Sequence, residues 1–250
     1  METTTASERQ LSHREIWASK PALREVYGHL YRGIAAACQP GLTIEVGGGS
    51  GNFKQFAPDV LSFDIVHEPW LDFVADAQAL PLRSSSVANI VMLDVLHHIE
   101  YPIQFLREAA RVVEPAGRVI FVEPGITPIS GIIYRTLHEE PVDASVDPLA
   151  EGVPDPRKDP YVGNQAIPTL LIGRHAARLK QLEPSLELTA LRWLSLFAYP
   201  LCGGFKRWSL ISAGTARQLL RLEDRVEALL GPICGFRLMA VFEKRVSERQ

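Results

Sequence analysis

Residues that could do chemistry are concentrated in three short stretches of the chain. The first, residues 43–51, reads Thr-Ile-Glu-Val-Gly-Gly-Gly-Ser-Gly, so that an acid precedes four glycines. The second, residues 93–99, carries two adjacent histidines after an aspartate, and the third, residues 138–140, reads His-Glu-Glu. Glycines between a strand and a helix let a ligand approach the backbone closely, and neutral imidazole accepts protons near pH 7. The pattern indicates a ligand-binding loop and several candidate bases.

The glycine loop can be compared with three known patterns. A Walker A loop needs a Lys-Ser/Thr pair after its last glycine, but here Asn-Phe follows Gly51. A dinucleotide fingerprint needs G-x-G-x-x-G, which the loop lacks. The spacing of Gly47, Gly49 and Gly51 gives G-x-G-x-G instead, with Glu45 two residues ahead. An acid at this place suits a cationic ligand, and a tight turn without a ligand stays open as the alternative.

Strands and helices alternate around these stretches. Apolar runs predict strands at residues 42–46, 60–65, 88–93, 118–123 and 235–244. Helical spacing or the available chain length predicts helices at residues 13–38, 52–57, 103–113, 169–181 and 215–230, the last stopped by Gly231-Pro232. Within the first of these ranges, Pro21 is expected to break the helix or to begin a new one. Because single helices separate successive strands, the sheet is predicted to be parallel.

The segment from residue 139 to residue 168 differs from the rest of the chain. It holds six of the 18 prolines and shows little hydrophobic periodicity. A connector of this length without secondary structure is uncommon in a compact domain unless it serves a site. We therefore interpret it as part of a lid over the substrate.

Composition limits the classes of partner. The chain has 250 residues, a formal net charge of −3 and a pI of about 6.2, so a nucleic-acid partner is not favoured. Three separated cysteines favour a reducing compartment, and we find neither a secretory signal nor a long apolar stretch. We expect a cytoplasmic protein with no membrane partner and a small-molecule substrate, and a homodimer is compatible with the sequence.

Four motifs in order resemble those of the class I S-adenosylmethionine-dependent methyltransferases. They are the glycine loop, the Asp-Ala...Leu-Pro block at 75–82, the Leu-His-His-Ile segment at 96–99 and the Arg-Val-Val-Glu-Pro-Ala-Gly turn at 111–117. The resemblance implies that S-adenosyl-L-methionine is the cofactor. It places the following residues around that cofactor: Glu45, Gly47, Gly48, Gly49, Gly51, Asp64, Asp76, Ala77, Leu93 and Asp94.

The roles that the resemblance implies differ along the chain. Glu45 and Asp94 would lie near the ammonium group, Asp64 would accept hydrogen bonds from the ribose hydroxyls, and Asp76 with the backbone of Ala77 would contact the adenine. The family pattern departs at Asn89, where an aspartate is common, so no role is assigned there.

The resemblance also implies a fold. We expect one α/β domain over residues 1–250, with a Rossmann-like, mostly parallel seven-stranded sheet and helices on both faces. Its predicted parts are an N-terminal helical cap (1–38), a cofactor-binding core (40–123), a substrate insertion or lid after the fifth strand (125–210), and a C-terminal helix with a closing strand (211–250).

Catalysis of methyl transfer needs alignment and, for a protonated acceptor, a base. His98, His97 and His138 are the candidate bases; adjacent helical residues diverge, so we expect at most one of His97 and His98 to face the substrate. We predict no metal site, because the 138–140 stretch alone lacks further ligands. The predicted function is methylation, at oxygen, of a sugar or other secondary metabolite. The alternatives are a nucleic-acid methyltransferase, a nicotinamide-dependent oxidoreductase and a non-catalytic cofactor-binding scaffold.

Overall fold

The computed structural model describes residues 5–246. Residues 1–4 and 247–250, which the predicted cap and C-terminal segment include, lie outside the described residues. The strands are β1 (Thr43–Val46), β2 (Leu61–Asp64), β3 (Phe73–Val74), β4 (Val87–Leu93), β5 (Val113–Pro124), β6 (Leu186–Leu194) and β7 (Arg237–Lys244). The helices are α1 (Ala6–Ser19), α2 (Pro21–Ala37), α3 (Pro102–Val112), α4 (Pro128–Leu137), α5 (Ile167–Ile172), α6 (Ala176–Leu182), α7 (Ala198–Cys202) and α8 (Ala213–Cys234).

All seven strands form one sheet in the order β3-β2-β1-β4-β5-β7-β6. The first five pair in parallel, whereas β7 runs antiparallel to both β5 and β6. The strand order reverses between β1 and β4, which is where open α/β sheets bind ligands at the carboxyl ends of their strands. The predicted mostly parallel, seven-stranded sheet is confirmed.

Helices cover both faces of the sheet. One core packs α3, with Ile103 and Leu106 fully buried, against one face of the sheet. The other core packs α2 and α8 against the opposite face, through residues such as Leu23 and Ala216. The central strand β4 is buried along nearly its whole length, as a strand covered on both faces should be. The prediction of helices on both faces is confirmed.

Several predicted helices have different bounds in the structure. The helix predicted at 13–38 is two helices, α1 and α2, because Pro21 begins a new helix. The segment 52–57 forms only one 3₁₀ turn at Phe53–Gln55, and the helix predicted at 169–181 is divided into α5 and α6 around Gly173. The predicted stop at Gly231-Pro232 is wrong, since α8 continues through Pro232 to Cys234. A proline so close to the helix end removes little of the helical hydrogen bonding.

Strand β6 lies inside the range predicted as the lid. Its residues Leu186–Leu194 pair with β7 at the edge of the sheet, and most of them are exposed. An exposed edge strand buries too few side chains to show a hydrophobic run, so the sequence pattern did not reveal it. The segment from 125 to 185 remains the insertion after β5, and its role as a lid stays a prediction.

Candidate cofactor and acceptor site

The glycine loop leaves the carboxyl end of β1 with a left-handed backbone. Gly47, Gly49 and Gly51 have φ angles of +66°, +47° and +72°. A Cβ atom at Gly47 would lie 2.4 Å from Val95, and one at Gly51 would lie 2.7 Å from Trp70, so packing requires glycine at both positions. A Cβ at Gly49 would meet only the carbonyl oxygen of Gly47, at 3.7 Å. Gly49 is therefore the glycine that borders open space.

Gly48 lies inside the bend. A Cβ there would meet Leu71 at 2.8 Å, and its N–H donates to the carbonyl oxygen of Phe63 in β2. Packing against the neighbouring strand therefore also explains this glycine. The structure brings the four predicted glycines into one bend, and Gly49 is the one of the four where a side chain would meet no other side chain.

Asp64 ends β2 beside this bend. Its carboxylate accepts hydrogen bonds from the N–H groups of Gly49 (3.0 Å) and Val66 (3.1 Å) and from the amide of Gln10 (3.4 Å). Burial raises the pKa of Asp64, and the main-chain donors partly offset that effect. The acid predicted to accept the ribose hydroxyls thus lies one hydrogen bond from Gly49.

Glu45 is buried beneath the loop. Its carboxyl group accepts a hydrogen bond of 2.5 Å from the hydroxyl of Ser62 in β2. Burial raises its pKa to about 8, with Ser62 and Lys54 opposing the shift and Asp64 and Asp72 adding to it. Near pH 7, Glu45 is therefore largely protonated when no cationic ligand is bound beside it.

We expect cofactor affinity to rise with pH because of Glu45. A cationic ammonium group beside it favours the ionised carboxylate, so below about pH 8 binding must release a proton. The cost of that release falls as pH rises, and the dissociation constant of S-adenosylhomocysteine should fall about tenfold between pH 6.5 and pH 8. Calorimetric titrations across this range measure the effect. The Glu45→Gln variant is the control, and an equal pH slope in the variant would exclude Glu45 as the cause.

Asp94 follows β4, the strand beside β1. Its backbone is left-handed, with a φ angle of +59°. Its Oδ2 lies 3.1 Å from both Arg237 Nη2 and the Tyr27 hydroxyl. Its Oδ1 is buried without a hydrogen-bond partner among the described residues. Burial raises the pKa of Asp94, and Arg237 opposes that effect. Leu93, the residue before it, is half-buried. The orphaned oxygen is a ready acceptor for a ligand ammonium.

Asp76 and Ala77 lie in the turn after β3. One Asp76 oxygen accepts from the main-chain N–H of Gln78 at 2.8 Å, which fixes the turn. Ala77 is half-buried and packs against the core. The structure thus places both residues beyond the end of a neighbouring strand, as their predicted contact with adenine requires.

Helix α1 lies over the same edge of the sheet. Ser7 donates to Glu68 at 2.6 Å, and Arg14 donates to the carbonyl oxygen of Ser50 at 2.7 Å while its guanidinium stacks over the Trp70 ring. Together with the contact between Gln10 and Asp64, these bonds connect the N-terminal helix to the glycine loop and β2. The predicted N-terminal cap thus touches two of the loops that form the site.

The adjacent histidines lie in a 3₁₀ turn after β4. His97 is buried, with Nδ1 at 2.6 Å from Glu123 and Nε2 at 3.3 Å from Glu140. Burial disfavours its charge, but the two carboxylates outweigh burial and raise its pKa to about 9. His98 has Nε2 at 3.9 Å from Glu140; burial and the charge of His97 lower its pKa to about 3. At neutral pH His97 is charged and His98 is neutral.

The two imidazoles converge instead of diverging. Their ring centroids are 4.0 Å apart, and both rings face Glu140. Both residues lie in a single 3₁₀ turn and not in the α-helix on which the expected divergence was based. Which of them faces the substrate stays a prediction. Glu140, half-buried, has its pKa lowered to about 2 because the bonds and charges of the histidines outweigh its burial.

His138 caps the end of α4. Its Nδ1 accepts a hydrogen bond from the main-chain N–H of Glu140 at 3.2 Å, and its ring packs edge-on against Tyr134. Burial lowers its pKa. This histidine therefore supports the backbone beside Glu140, and it remains the third candidate base.

Two residues at the site, Arg237 and Glu123, were not singled out from the sequence, and Glu140 was named only as part of the 138–140 stretch. Arg237 begins β7 and is buried against Asp94, Glu123 lies in the buried run of β5, and Glu140 lies in the proline-rich segment. A charged residue that ends an otherwise apolar strand was the available signal for Glu123. The pairing of Arg237 with Asp94 depends on the antiparallel return of β7 beside β5.

Comparisons with known proteins agree with this geometry. Residues 44–121 match the model of a family described as a methyltransferase domain. A Thermotoga maritima S-adenosylmethionine-dependent methyltransferase, a possible histamine N-methyltransferase, superimposes with a TM-score of 0.56 at 14% identity over 96% of this chain and 99% of its own. An S-adenosylmethionine-dependent methyltransferase from Archaeoglobus fulgidus gives 0.50 at 13% identity over 90% and 95%. No curated relative matches the chain in sequence.

The family match and the fold confirm the resemblance to class I S-adenosylmethionine-dependent methyltransferases. S-Adenosyl-L-methionine is the cofactor of this class of enzyme. The residues present fit it: open space beside Gly49, an orphaned oxygen on Asp94, and two further acids, Glu45 and Asp64, at neighbouring strand ends. Within residues 5–246, no helix has the length and apolar character needed to cross a membrane.

Proposed function

We propose that this protein transfers a methyl group from S-adenosylmethionine to an oxygen of a small metabolite. The observation that supports the cofactor part most directly is the group of acids around Gly49. Glu45, Asp64 and Asp94 lie at the carboxyl ends of β1, β2 and β4, which are neighbours at the reversal of strand order, while Gly49 borders open space. Such an arrangement suits a cationic nucleoside better than a phosphate.

Different residues of the chain would bind different parts of the cofactor. S-Adenosylmethionine supplies an electrophilic methyl group on a sulfonium. Asp94, with its free Oδ1, and Glu45 would hold the ammonium group, and Asp64 would accept from the ribose. Asp76 and the N–H of Ala77 would hold the adenine. The remaining task of the protein is to align the acceptor with the methyl carbon, since the displacement needs little other help.

The binding site for the methyl acceptor would be formed by the 3₁₀ turn Leu96–His98, called the histidine turn below, and by the segment 125–185 after β5. Glu140, from that segment, faces both histidines, and Asn164 donates its main-chain N–H to the carbonyl oxygen of His97 at 2.9 Å. His98 is neutral near pH 7, so its lone pair is free to accept a hydrogen bond from an acceptor hydroxyl. A hydroxyl acceptor is therefore the one that this side chain suits best.

Methyl transfer can be followed with labelled cofactor. The purified protein is incubated with methyl-labelled S-adenosylmethionine and either the small-metabolite fraction or the RNA fraction of a cell extract. We expect label in small molecules, in a form that withstands mild alkali as a methyl ether does. Label confined to RNA would establish the nucleic-acid alternative. Label in neither fraction, from protein that binds S-adenosylhomocysteine, would favour the non-catalytic scaffold.

We expect His98→Ala to slow methyl transfer without weakening the binding of the cofactor. Because the pKa of His98 is only about 3, it is a weak base in this structure, and the loss should be about tenfold in kcat, below the roughly 100-fold or larger effect of a typical general base. Steady-state rates and S-adenosylhomocysteine calorimetry on the same preparation measure both effects. His175→Ala, a histidine paired with Asp147 away from this turn, is the matched control. An unchanged rate in His98→Ala would exclude this residue as the base.

A further inference from the structure

Three metal-ligating side chains converge at the histidine turn. The Nε2 atoms of His97 and His98 lie 3.3 Å and 3.9 Å from the two carboxylate oxygens of Glu140, and one ligand atom from each residue lies within 4.8 Å of the others. Ligands of a tetrahedral ion at about 2.1 Å are separated by about 3.4 Å, so these separations are close to those that an ion needs. We propose that His97, His98 and Glu140 bind one divalent transition-metal ion.

A second carboxylate holds the first ligand in the required orientation. Glu123 lies 2.6 Å from Nδ1 of His97 and also accepts from the main-chain N–H groups of Val95 and Leu96, both at 2.7 Å. Metal binding would displace the Nε2 proton of the charged His97 imidazole. The acceptor at Nδ1 would keep the other proton there, so that the freed Nε2 lone pair points at the space that Glu140 faces. Metal-binding histidines almost always have such a partner on the other ring nitrogen. Glu123 therefore acts as the orienting group.

The donor set selects the kind of ion. Two imidazoles and one carboxylate suit zinc, iron or a neighbouring divalent metal, whereas magnesium and calcium prefer oxygen ligands alone. Two histidines with one glutamate also leave a coordination position open to a further ligand, as catalytic sites of this composition do. The proposed ion therefore belongs to the first-row transition series.

The cluster is accessible on one side only. His97 is 3% exposed, whereas the side chains of His98 and Glu140 are 18% and 26% exposed. Gln165 is buried and donates to Glu140, while its Oε1 has no hydrogen-bond partner among the described residues. A water or hydroxyl bound at the open position could donate to that oxygen. The polar surroundings therefore suit an ion that carries one exchangeable ligand.

The role of the ion in catalysis rests on the proposed function, whereas the binding of the ion does not depend on that function. A hydroxyl of the acceptor at the open position would have its O–H bond polarised; its proton would leave to water, and the electron pair would stay on the oxygen as the nucleophile. The ion, and not a side-chain base, would activate the hydroxyl. The acceptor would then be a compound whose reacting oxygen can coordinate a metal.

The test is binding of Co²⁺ and Zn²⁺ to full-length, tag-free protein treated with chelator. Co²⁺ is followed by its visible absorption and Zn²⁺ by calorimetry with a competing chelator. We expect one ion per chain, and at least about 100-fold weaker binding in Glu140→Gln and His98→Gln, since loss of a ligand exceeds the 10- to 100-fold cost of losing an orienting group. The matched controls, Glu139→Gln and His175→Gln, should bind as the unchanged protein does.

The outcomes separate the two proposals. No binding, or equal loss in the control variants, would overturn the metal site and leave the histidines as an ion-pair cluster with Glu123 and Glu140. Binding of the ion in protein that fails to bind S-adenosylhomocysteine would support the site and contradict the proposed function. Circular dichroism of each variant confirms that it is folded, and the half-buried positions of His98 and Glu140 make these substitutions safer than one at His97.

Discussion

Replacing Gly49 by valine is expected to reduce cofactor affinity by at least about 100-fold. A Cβ at this position meets only one atom, the carbonyl oxygen of Gly47 at 3.7 Å, so the added side chain would enter the space that borders the loop. The φ angle of +47° adds strain of about 1–2 kcal/mol for a residue with a side chain. Because the N–H of Gly49 also bonds to Asp64, the substitution would disturb the ribose acceptor as well. Calorimetry with S-adenosylhomocysteine measures the loss.

Stability must be measured alongside binding for this variant. Gly33→Ala is the control, since a Cβ there meets nothing within 4 Å and its helical backbone accepts alanine. The control should bind the cofactor normally. If folded Gly49→Val protein retained full affinity, the bend after β1 would be a packing turn and not the cofactor loop.

Replacing Asp94 by alanine is expected to cost about 3–5 kcal/mol of folding free energy. Arg237 is buried and lies 3.1 Å from Asp94. The substitution would leave a guanidinium whose other bonds go to the hydroxyls of Tyr134 and Tyr199. Removing one partner of a buried ion pair leaves an uncompensated charge in the interior, which is far more costly than losing a surface pair. Denaturant titration of both proteins gives the difference.

A surface pair provides the comparison. Glu187 lies 3.2 Å from Arg245, and both side chains are about half exposed. Glu187→Ala should change stability by about 1 kcal/mol or less. A loss in Asp94→Ala as small as that of Glu187→Ala would show that Arg237 reaches solvent in solution and that Asp94 serves only the ligand.

The fold was predictable from the sequence where the hydrophobic pattern was strong. The buried runs of β1, β2, β4 and β5 and their alternation with helices fixed the parallel part of the sheet. The exposed edge strand β6 gave no such pattern, and Pro232, two residues before the end of α8, did not stop that helix. Local residue preferences therefore did not predict the structure correctly where tertiary contacts, or the lack of them, determined it.

The candidate site was predictable in part for the same reason. Residues at the carboxyl end of a strand, such as Glu45 and Asp64, could be placed because the carboxyl ends of parallel strands share one edge. The meeting of Glu140 with His97 could not, since it joins segments about 40 residues apart through a loop without a regular pattern. The glycine pattern suggested more than the structure supports. The sequence suggested a ligand beneath all four loop glycines, whereas packing against neighbouring side chains explains three of them.

The most direct test is calorimetry of the folded protein with S-adenosylhomocysteine and with NAD. The acids at the ends of β1, β2 and β4 around Gly49 predict saturable one-to-one binding of S-adenosylhomocysteine and none of NAD. No heat with S-adenosylhomocysteine, or preferential binding of NAD, would contradict the assignment of this edge of the sheet as a methyl-donor site.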